Sequence, residues 1–210
     1  LSMVNRILTT QYNNSFFLFG ARGTGKTTWL KQEFLQIPNK KSWYIDLLDA
    51  DQQELYQKNP NQLKLAVDKL DKETWVVIDE IQKVPALLNV VHQCIQEHGT
   101  RFVLTGSSAR KLKRGAADML AGRAFLNYIF PFTHTELGSD FDLNHVLTWG
   151  SLPQITNTPD DQDKIRFLKA YTRAYIQEEI VAEQVVRKLE PFRSFLEIAA
   201  QQNAEIVNYS

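Results

Sequence analysis

The sequence predicts an α/β fold in which a parallel β-sheet is flanked by helices. Five short apolar segments occur in the first two thirds of the chain, and apolar residues at helical spacing fill several of the intervals between them. This alternation is typical of βαβ units, whose parallel strands are buried on both faces. The chain has 210 residues, 43% of them apolar and 23% charged, which suits one such domain and a smaller second unit.

The five predicted strands are short and almost entirely apolar. Segments of this kind, closed by glycine, proline or acidic residues, favour buried strands over exposed ones. The predicted strands are 15–19, 43–47, 75–78, 101–105 and 124–130.

The predicted helices occupy most of the remaining chain. Pro85 suits the first turn of one of them, and Gly99 suits its end. Residues 49–59 are polar and predict a loop. The other predicted helices are 27–35, 62–70, 142–149, 163–188 and 191–202.

The strands end after about residue 140, which predicts a change of domain there. We expect one domain at 1–140, a linker with one helix at 141–163 and the beginning of a truncated helical domain at 164–210. The segment 150–163 is the best linker candidate because it is rich in Pro, Asn, Asp and Thr.

Composition limits the partners and the location of the protein. The 24 basic and 24 acidic residues give a net charge of zero, so nucleic acid is a possible partner that charge does not support. The single cysteine, Cys94, forms no internal disulfide and fits a reducing compartment. Because no apolar run approaches the ~20 residues of a membrane span and no leader pattern begins the chain, we predict a cytoplasmic protein without a membrane span.

The strongest motif is GARGTGKT at residues 20–27, which matches the P-loop pattern G-x-x-x-x-G-K-[ST] without a mismatch. Glycines let the backbone curl around phosphate oxygens, and the following helix adds its positive amino end. Lys26 is predicted to reach the β- and γ-phosphates, and the Thr27 hydroxyl to bind Mg²⁺. The predicted nucleotide-binding residues are Gly20, Ala21, Arg22, Gly23, Thr24, Gly25, Lys26, Thr27 and Thr28.

A second motif follows the strand at 75–78, where two acidic residues come directly after four apolar ones. Asp79 is predicted to hold Mg²⁺ beside the P-loop. Glu80 is predicted to polarise the water that attacks the γ-phosphate, which is the work of a general base. A solvated acidic turn is the alternative interpretation of this pair.

Two further segments suggest contacts to the γ-phosphate. Ser107 or Ser108, at the end of the fourth strand, could sense the phosphate or orient the water, although a simple Gly-Ser turn is the alternative. Arg123 is a candidate phosphate sensor, or a finger offered to a neighbouring subunit, with a solvated surface arginine as the alternative. The basic cluster at 111–114 is interpreted as a surface loop.

The motifs favour ATP over GTP. GTPases usually carry N-K-x-D, and residues 39–42 read NKKS, which lacks the Asp. Small-molecule kinases rarely need a Glu at the position of Glu80, because a substrate hydroxyl replaces water.

In this order the motifs resemble a prokaryotic family of AAA+-like ATPases of the STAND-related group, whose members join an AAA ATPase domain to a C-terminal domain called DUF4143. The resemblance implies a sheet of ASCE type with strand order 5-1-4-3-2, and implies that the chain is an N-terminal fragment. It also implies that 149–153 and 175–180 begin the second domain. The resembling segments are 19–28, 44–47, 77–85, 104–109, 120–123, 131–137, 149–153 and 175–180.

Three functional hypotheses follow. The first is a Mg²⁺-dependent ATPase in which Lys26, Glu80, Ser107 and Arg123 act on the phosphates and Thr27 and Asp79 hold the metal. The second is a switch that binds ATP or ADP with negligible turnover and engages a protein or DNA partner, or another copy of itself. The third is a P-loop kinase, for which phosphate would appear on a metabolite.

Overall fold

Five strands form one parallel sheet in the computed structural model, which describes residues 4–8, 13–107, 120, 122–181 and 189–201. The order across the sheet is β2-β3-β4-β1-β5, with every neighbouring pair parallel. This is the predicted order, 5-1-4-3-2, read from the opposite edge, so the predicted fold class is confirmed. The strands are β1 Ser15–Phe19, β2 Ser42–Asp46, β3 Trp75–Asp79, β4 Arg101–Gly106 and β5 Ala124–Tyr128.

Helices cover both faces of the sheet, as a doubly buried parallel sheet requires. The helix after β1 begins as α1 and continues as a π-helical turn, Leu30–Phe34. Among the described residues, the α-helices before β5 are α1 Lys26–Trp29, α2 Ala50–Lys58, α3 Gln62–Val67 and α4 Leu87–His98, and Gly99 ends α4 with a φ of 67°.

Alternate residues along β1 supply two separate cores because strand side chains point to opposite faces. Phe16 and Leu18 pack with Phe34 and the rest of the cluster on the α1 side. Phe17 and Phe19 pack in a second cluster that contains buried residues of α2, α3 and α4. Because all five strands are parallel, their carboxyl ends lie at the same edge of the sheet, where the motifs also lie.

The prediction of a loop at 49–59 is wrong, because α2 occupies most of that segment. The Asp49 carboxylate caps this helix by accepting hydrogen bonds from the backbone N–H groups of Asp51 and Gln52. Tyr56 is the one buried residue of α2, so the helix carries little apolar periodicity for a sequence to show.

The segment after β5 is helical, and its first part, up to Pro159, belongs to the same compact unit as the sheet. The second compact unit begins at Asp160. The first unit includes α5 His134–Leu137, α6 Leu143–Trp149 and α7 Pro153–Thr156. The second includes α8 Asp161–Tyr175, a π-helical turn at Ile176–Val181 and α9 Leu189–Gln201. Across the described ranges, every helix is too short or too polar to cross a membrane.

Candidate functional site

The loop after β1 begins at a glycine that no other residue could replace without displacement. A Cβ atom on Gly20 would lie 2.4 Å from the backbone oxygen of Ile129 and 2.8 Å from Thr24 Oγ1. The Gly20 N–H donates to the Gly106 oxygen at 3.4 Å, which joins the ends of β1 and β4. The loop therefore starts in a space fixed by its two neighbouring strands.

Two further glycines give the loop its curl. Gly23 and Gly25 have φ values of 77° and 94°, in the left-handed region that favours glycine. Between them Thr24 is fully buried, and its Oγ1 donates to the Ala21 oxygen at 2.8 Å. The helix starts directly afterwards, with the Trp29 N–H bonded to the Gly25 oxygen at 2.9 Å.

Lys26 lies inside this loop. Its side-chain ammonium donates to the Gly20 oxygen at 2.7 Å and to the Ala21 oxygen at 3.2 Å. The residue is only 6% exposed. A buried cation enclosed by curled backbone is the arrangement that a phosphate-binding loop needs.

Asp79, at the end of β3, is the centre of a network of hydroxyl groups and is 1% exposed. Thr27 Oγ1 donates to Asp79 Oδ2 at 2.9 Å, so the first helix and β3 meet at this carboxylate. Thr105 on β4 donates to the other oxygen, Oδ1. The Tyr44 hydroxyl on β2 also donates to Oδ2, at 2.7 Å. Hydroxyl groups from three elements, α1, β2 and β4, thus converge on one buried carboxylate of β3.

The sequence prediction did not include Tyr44 or Thr105 among the site residues. The role of Tyr44 depends on strand register: Asp46 is the partner of Asp79, so Tyr44 lies two residues earlier on the adjacent strand. Burial, followed by the hydrogen bond to Asp79, raises the pKa of Tyr44. Tyr44 is therefore a hydrogen-bond donor throughout the physiological pH range.

Glu80 follows Asp79 in an unusual backbone conformation. Its φ of 60° is in the left-handed region, which is uncommon for a residue other than glycine. The Glu80 N–H donates to Thr105 Oγ1 at 3.0 Å. The Gln82 side-chain amide donates to the Glu80 carboxylate and, at 3.4 Å, to Ser107 Oγ. Strained backbone that is held by several contacts is a feature of functional sites.

The structure brings Ser107 to the site but not Arg123. Ser107 follows β4 and reaches Glu80 through the amide of Gln82. Arg123 precedes β5, whose first residue, Ala124, pairs with Ser15 at the start of β1. Because strands rise about 3.3 Å per residue, Arg123 lies at the edge of the sheet opposite the P-loop, more than about 13 Å away along β5.

The role of Arg123 as a phosphate sensor within its own chain is therefore contradicted by the sheet geometry. Its backbone N–H donates to the Leu120 oxygen at 2.8 Å, and the residue is exposed. Ser108 and the basic cluster at 111–114 lie outside the described residues.

Pro153 lies beside the P-loop. A Cβ atom on Gly25 would be 3.8 Å from Pro153 Cγ, and the Phe132 N–H donates to the Ser151 oxygen at 2.8 Å. The segment at 149–153, expected to begin a second domain, thus packs against the first. No sequence signal placed it there, because the contact joins residues that are far apart along the chain.

Comparison with models of known protein families shows the family to which the chain belongs. Residues 12–138 match a family described as AAA domain. The chain belongs to this AAA family. Residues 140–210, which follow the AAA domain, match a domain of unknown function, DUF8612. The AAA+-like part of the sequence resemblance is thereby confirmed, whereas DUF4143 is not the domain that matches the rest of the chain.

A curated protein of unknown function is a distant relative of this AAA protein. An uncharacterized protein of Methanocaldococcus jannaschii, MJ1544, is 23% identical over 194 residues, which cover 84% of this chain and 44% of the relative. The chain therefore spans less than half the length of that curated relative.

Two solved structures are distantly similar to the AAA protein. A RuvB variant from Thermotoga maritima has a TM-score of 0.41 and 19% identity, covering 59% of this chain and 40% of its own. AMPPCP-bound DnaA from Aquifex aeolicus has a TM-score of 0.44 and 16% identity, covering 81% of this chain and 60% of its own. At these values neither neighbour informs the chemistry of the site.

Proposed function

We propose that the AAA domain binds ATP together with Mg²⁺ and hydrolyses it. One observation carries this proposal: Thr27 Oγ1 and Asp79 Oδ2 are 2.9 Å apart, immediately after the buried cation of Lys26. The P-loop and the acidic end of β3, which lie 52 residues apart in sequence, therefore form one site. A phosphate and a metal would meet between them.

The residues present fit Mg²⁺. This ion prefers hard oxygen ligands and keeps several of its own waters, so one hydroxyl and one carboxylate supply enough protein ligands. Thr27 and Asp79 would hold it. When bound, Mg²⁺ neutralises charge that develops on the transferred phosphoryl group.

The nucleotide fits the loop for similar reasons. The loop backbone from Gly20 to Thr27 is curled by Gly23 and Gly25 and would surround the phosphates, with Thr28 one residue further along the helix. Lys26 would exchange its bonds to two loop oxygens for bonds to the phosphates. The positive amino end of the helix that begins at Lys26 adds to the attraction.

Hydrolysis would depend on Glu80 and Ser107. Glu80 is held at the same edge of the sheet as the P-loop, where its carboxylate would accept a proton from the attacking water. Ser107, at the end of the strand between β1 and β3, would contact the γ-phosphate or the water. Because Arg123 lies at the opposite edge, its remaining hypothetical role is as a finger for a neighbouring copy.

Phosphate release tests this proposal. We expect the protein to release phosphate from ATP only with Mg²⁺, and Glu80→Gln to lower kcat about 100-fold or more, as for loss of a general base. Glu54→Gln, which changes an exposed glutamate on α2, is the matched control.

The outcomes separate the functional hypotheses. ATP binding with background phosphate release in the unaltered protein would favour the nucleotide-gated switch. Phosphate transfer to a metabolite would favour the kinase. Equal release by the unaltered protein and Glu80→Gln would exclude Glu80 as the base.

A further inference from the structure

Gln82 connects the two residues assigned to the γ-phosphate. It lies in a short 3₁₀ turn, Ile81–Lys83, directly after β3. Its side-chain nitrogen donates both to the Glu80 carboxylate and, at 3.4 Å, to Ser107 Oγ. One amide group therefore bridges the ends of β3 and β4.

The orientation of this amide follows from its partners. A carboxylate accepts hydrogen bonds and does not donate them, so the NH₂ group of Gln82 must face Glu80. That orientation turns the amide oxygen away. Gln82 Oε1 is buried and accepts no hydrogen bond from the part of the chain that the structure describes.

A buried acceptor without a hydrogen bond lowers stability, so the other contacts of the same side chain must compensate for it. The space around this oxygen is fitted to it. A Cβ atom on Gly106 would lie 2.8 Å from Gln82 Oε1, so the glycine at the end of β4 leaves room for the amide. The placement of Gln82 is therefore specified by three residues, Glu80, Ser107 and Gly106.

We propose that Gln82 is a positioning residue that holds the Glu80 carboxylate and couples it to Ser107. This inference rests on the proposed function, in which Glu80 acts on water and Ser107 meets the phosphate. A contact made at Ser107 then changes the position of Glu80 through a single amide group. Gln82 touches neither the nucleotide nor the water in this assignment.

Steady-state hydrolysis of ATP tests the positioning role. Gln82→Leu keeps most of the side-chain volume and removes both hydrogen bonds. We expect kcat to fall about 10- to 100-fold, as for a catalytic group displaced by about 1 Å, while KM changes less than twofold. Gln36→Leu, an exposed glutamine bonded to the Lys31 oxygen, is the control and retains the original kcat.

A double-mutant cycle tests the coupling to Ser107. If Gln82 couples Ser107 to Glu80, the fall in kcat of the variant with both Gln82→Leu and Ser107→Ala is smaller than the product of the two single falls. A fall equal to that product would show that the two residues act independently and would contradict the coupling. Gly106→Ala should also lower kcat, because the new methyl group displaces the amide.

Thermal unfolding tests the contact without any turnover. Gln82→Glu places two carboxylates together and should lower Tm by about 2–4 °C, and Glu80→Gln in the same chain should restore it by exchanging donor and acceptor. Failure of the exchange to restore Tm would overturn the contact, and an unchanged kcat in Gln82→Leu would overturn the positioning role. If the unaltered protein hydrolyses no ATP, the proposed function is contradicted. The Tm of the exchanged variant, with Gln82→Glu and Glu80→Gln, then still tests the contact between the two residues.

Discussion

Tyr44 and Asp79 are joined by a 2.7 Å hydrogen bond from the phenolic hydroxyl to Oδ2. The same oxygen accepts a hydrogen bond from Thr27 at 2.9 Å. Hydroxyl groups of α1 and β2 thus bond to one oxygen of this carboxylate, and Thr105 on β4 bonds to the other. Replacing a group that orients a metal ligand typically lowers metal affinity about 10- to 100-fold.

Tyr44→Phe therefore weakens the response of the protein to Mg²⁺. We expect the Mg²⁺ concentration that gives half-maximal ATP binding to rise about 10-fold, because Asp79 loses one of its orienting donors. Titration calorimetry at fixed ATP measures this value. Tyr56→Phe, at a buried tyrosine on α2, is the matched control. Equal Mg²⁺ responses of the two variants would contradict the role of Tyr44.

Glu136 is predicted to be a major source of stability. Its carboxylate lies 3.1 Å from the Arg6 side chain, and the two side chains are 3% and 6% exposed. It also accepts hydrogen bonds from the backbone N–H groups of Ile7, at 3.1 Å, and Thr133, at 2.9 Å. Glu136→Ala should lower the free energy of unfolding by about 3–5 kcal/mol, since it leaves a buried guanidinium without its partner.

Urea unfolding measures this effect, and the exposed pair of Glu54 and Lys58 supplies the comparison. Glu54→Ala should cost at most about 1 kcal/mol, because solvent screens a surface pair. If Glu136→Ala also lowered the free energy of unfolding by at most about 1 kcal/mol, the buried pair of Arg6 and Glu136 would contribute no more than a surface pair, and the prediction would be wrong.

Lys40 gives the protein a stability that depends on pH. Its ammonium lies 4.0 Å from the centre of the Phe34 ring and 4.9 Å from that of Trp75. The rings attract the cation, but burial and, to a lesser extent, Arg101 outweigh this and lower the pKa from 10.5 to about 8.

Because the folded pKa lies below the unfolded one, the unfolded chain binds more protons between pH 8 and 10.5. The contribution of Lys40 to the free energy of unfolding should therefore rise across that window. Lys40→Met should be more stable than the original protein below pH 8, and the advantage should disappear above pH 10.5. Urea unfolding at several pH values, with exposed Lys58→Met as control, measures the difference. An advantage that is constant with pH would contradict the lowered pKa.

The sequence predicted the strands well because each of them gives a strong local signal, and the resemblance to AAA+-like ATPases implied their order. Buried strands require continuous apolar runs, which the sequence shows directly. The helix α2 was missed because its signal is weak: it buries only Tyr56 and begins at the polar cap Asp49. Such a helix differs little from a loop in composition.

The site was predicted in part for the same reason. Lys26, Thr27 and Asp79 belong to motifs with fixed spacing, and the structure brings these three together. Tyr44 and Gln82 lie in segments of the family resemblance, 44–47 and 77–85, but the sequence assigned them no role, because their contacts come from strand register and from a side-chain contact between neighbouring turns.

Arg123 is a residue to which the sequence assigned a role within its own chain that the sheet geometry does not support. Its residue type suits a phosphate sensor, but a strand that begins at Ala124 and runs parallel to β1 carries its preceding residue to the far edge of the sheet. Position within the parallel strand, and not residue type, decides which edge a side chain reaches.

The most direct test of the central claim, that this site binds ATP with Mg²⁺, is titration calorimetry of the protein and its Lys26→Ala variant. We predict saturable binding of ATP with Mg²⁺, weakened about 10- to 100-fold in Lys26→Ala, as for loss of hydrogen bonds to a charged group. Lys58→Ala should bind as the original protein does. Absence of binding by the original protein, or equal affinities for the original protein and Lys26→Ala, would contradict the assignment.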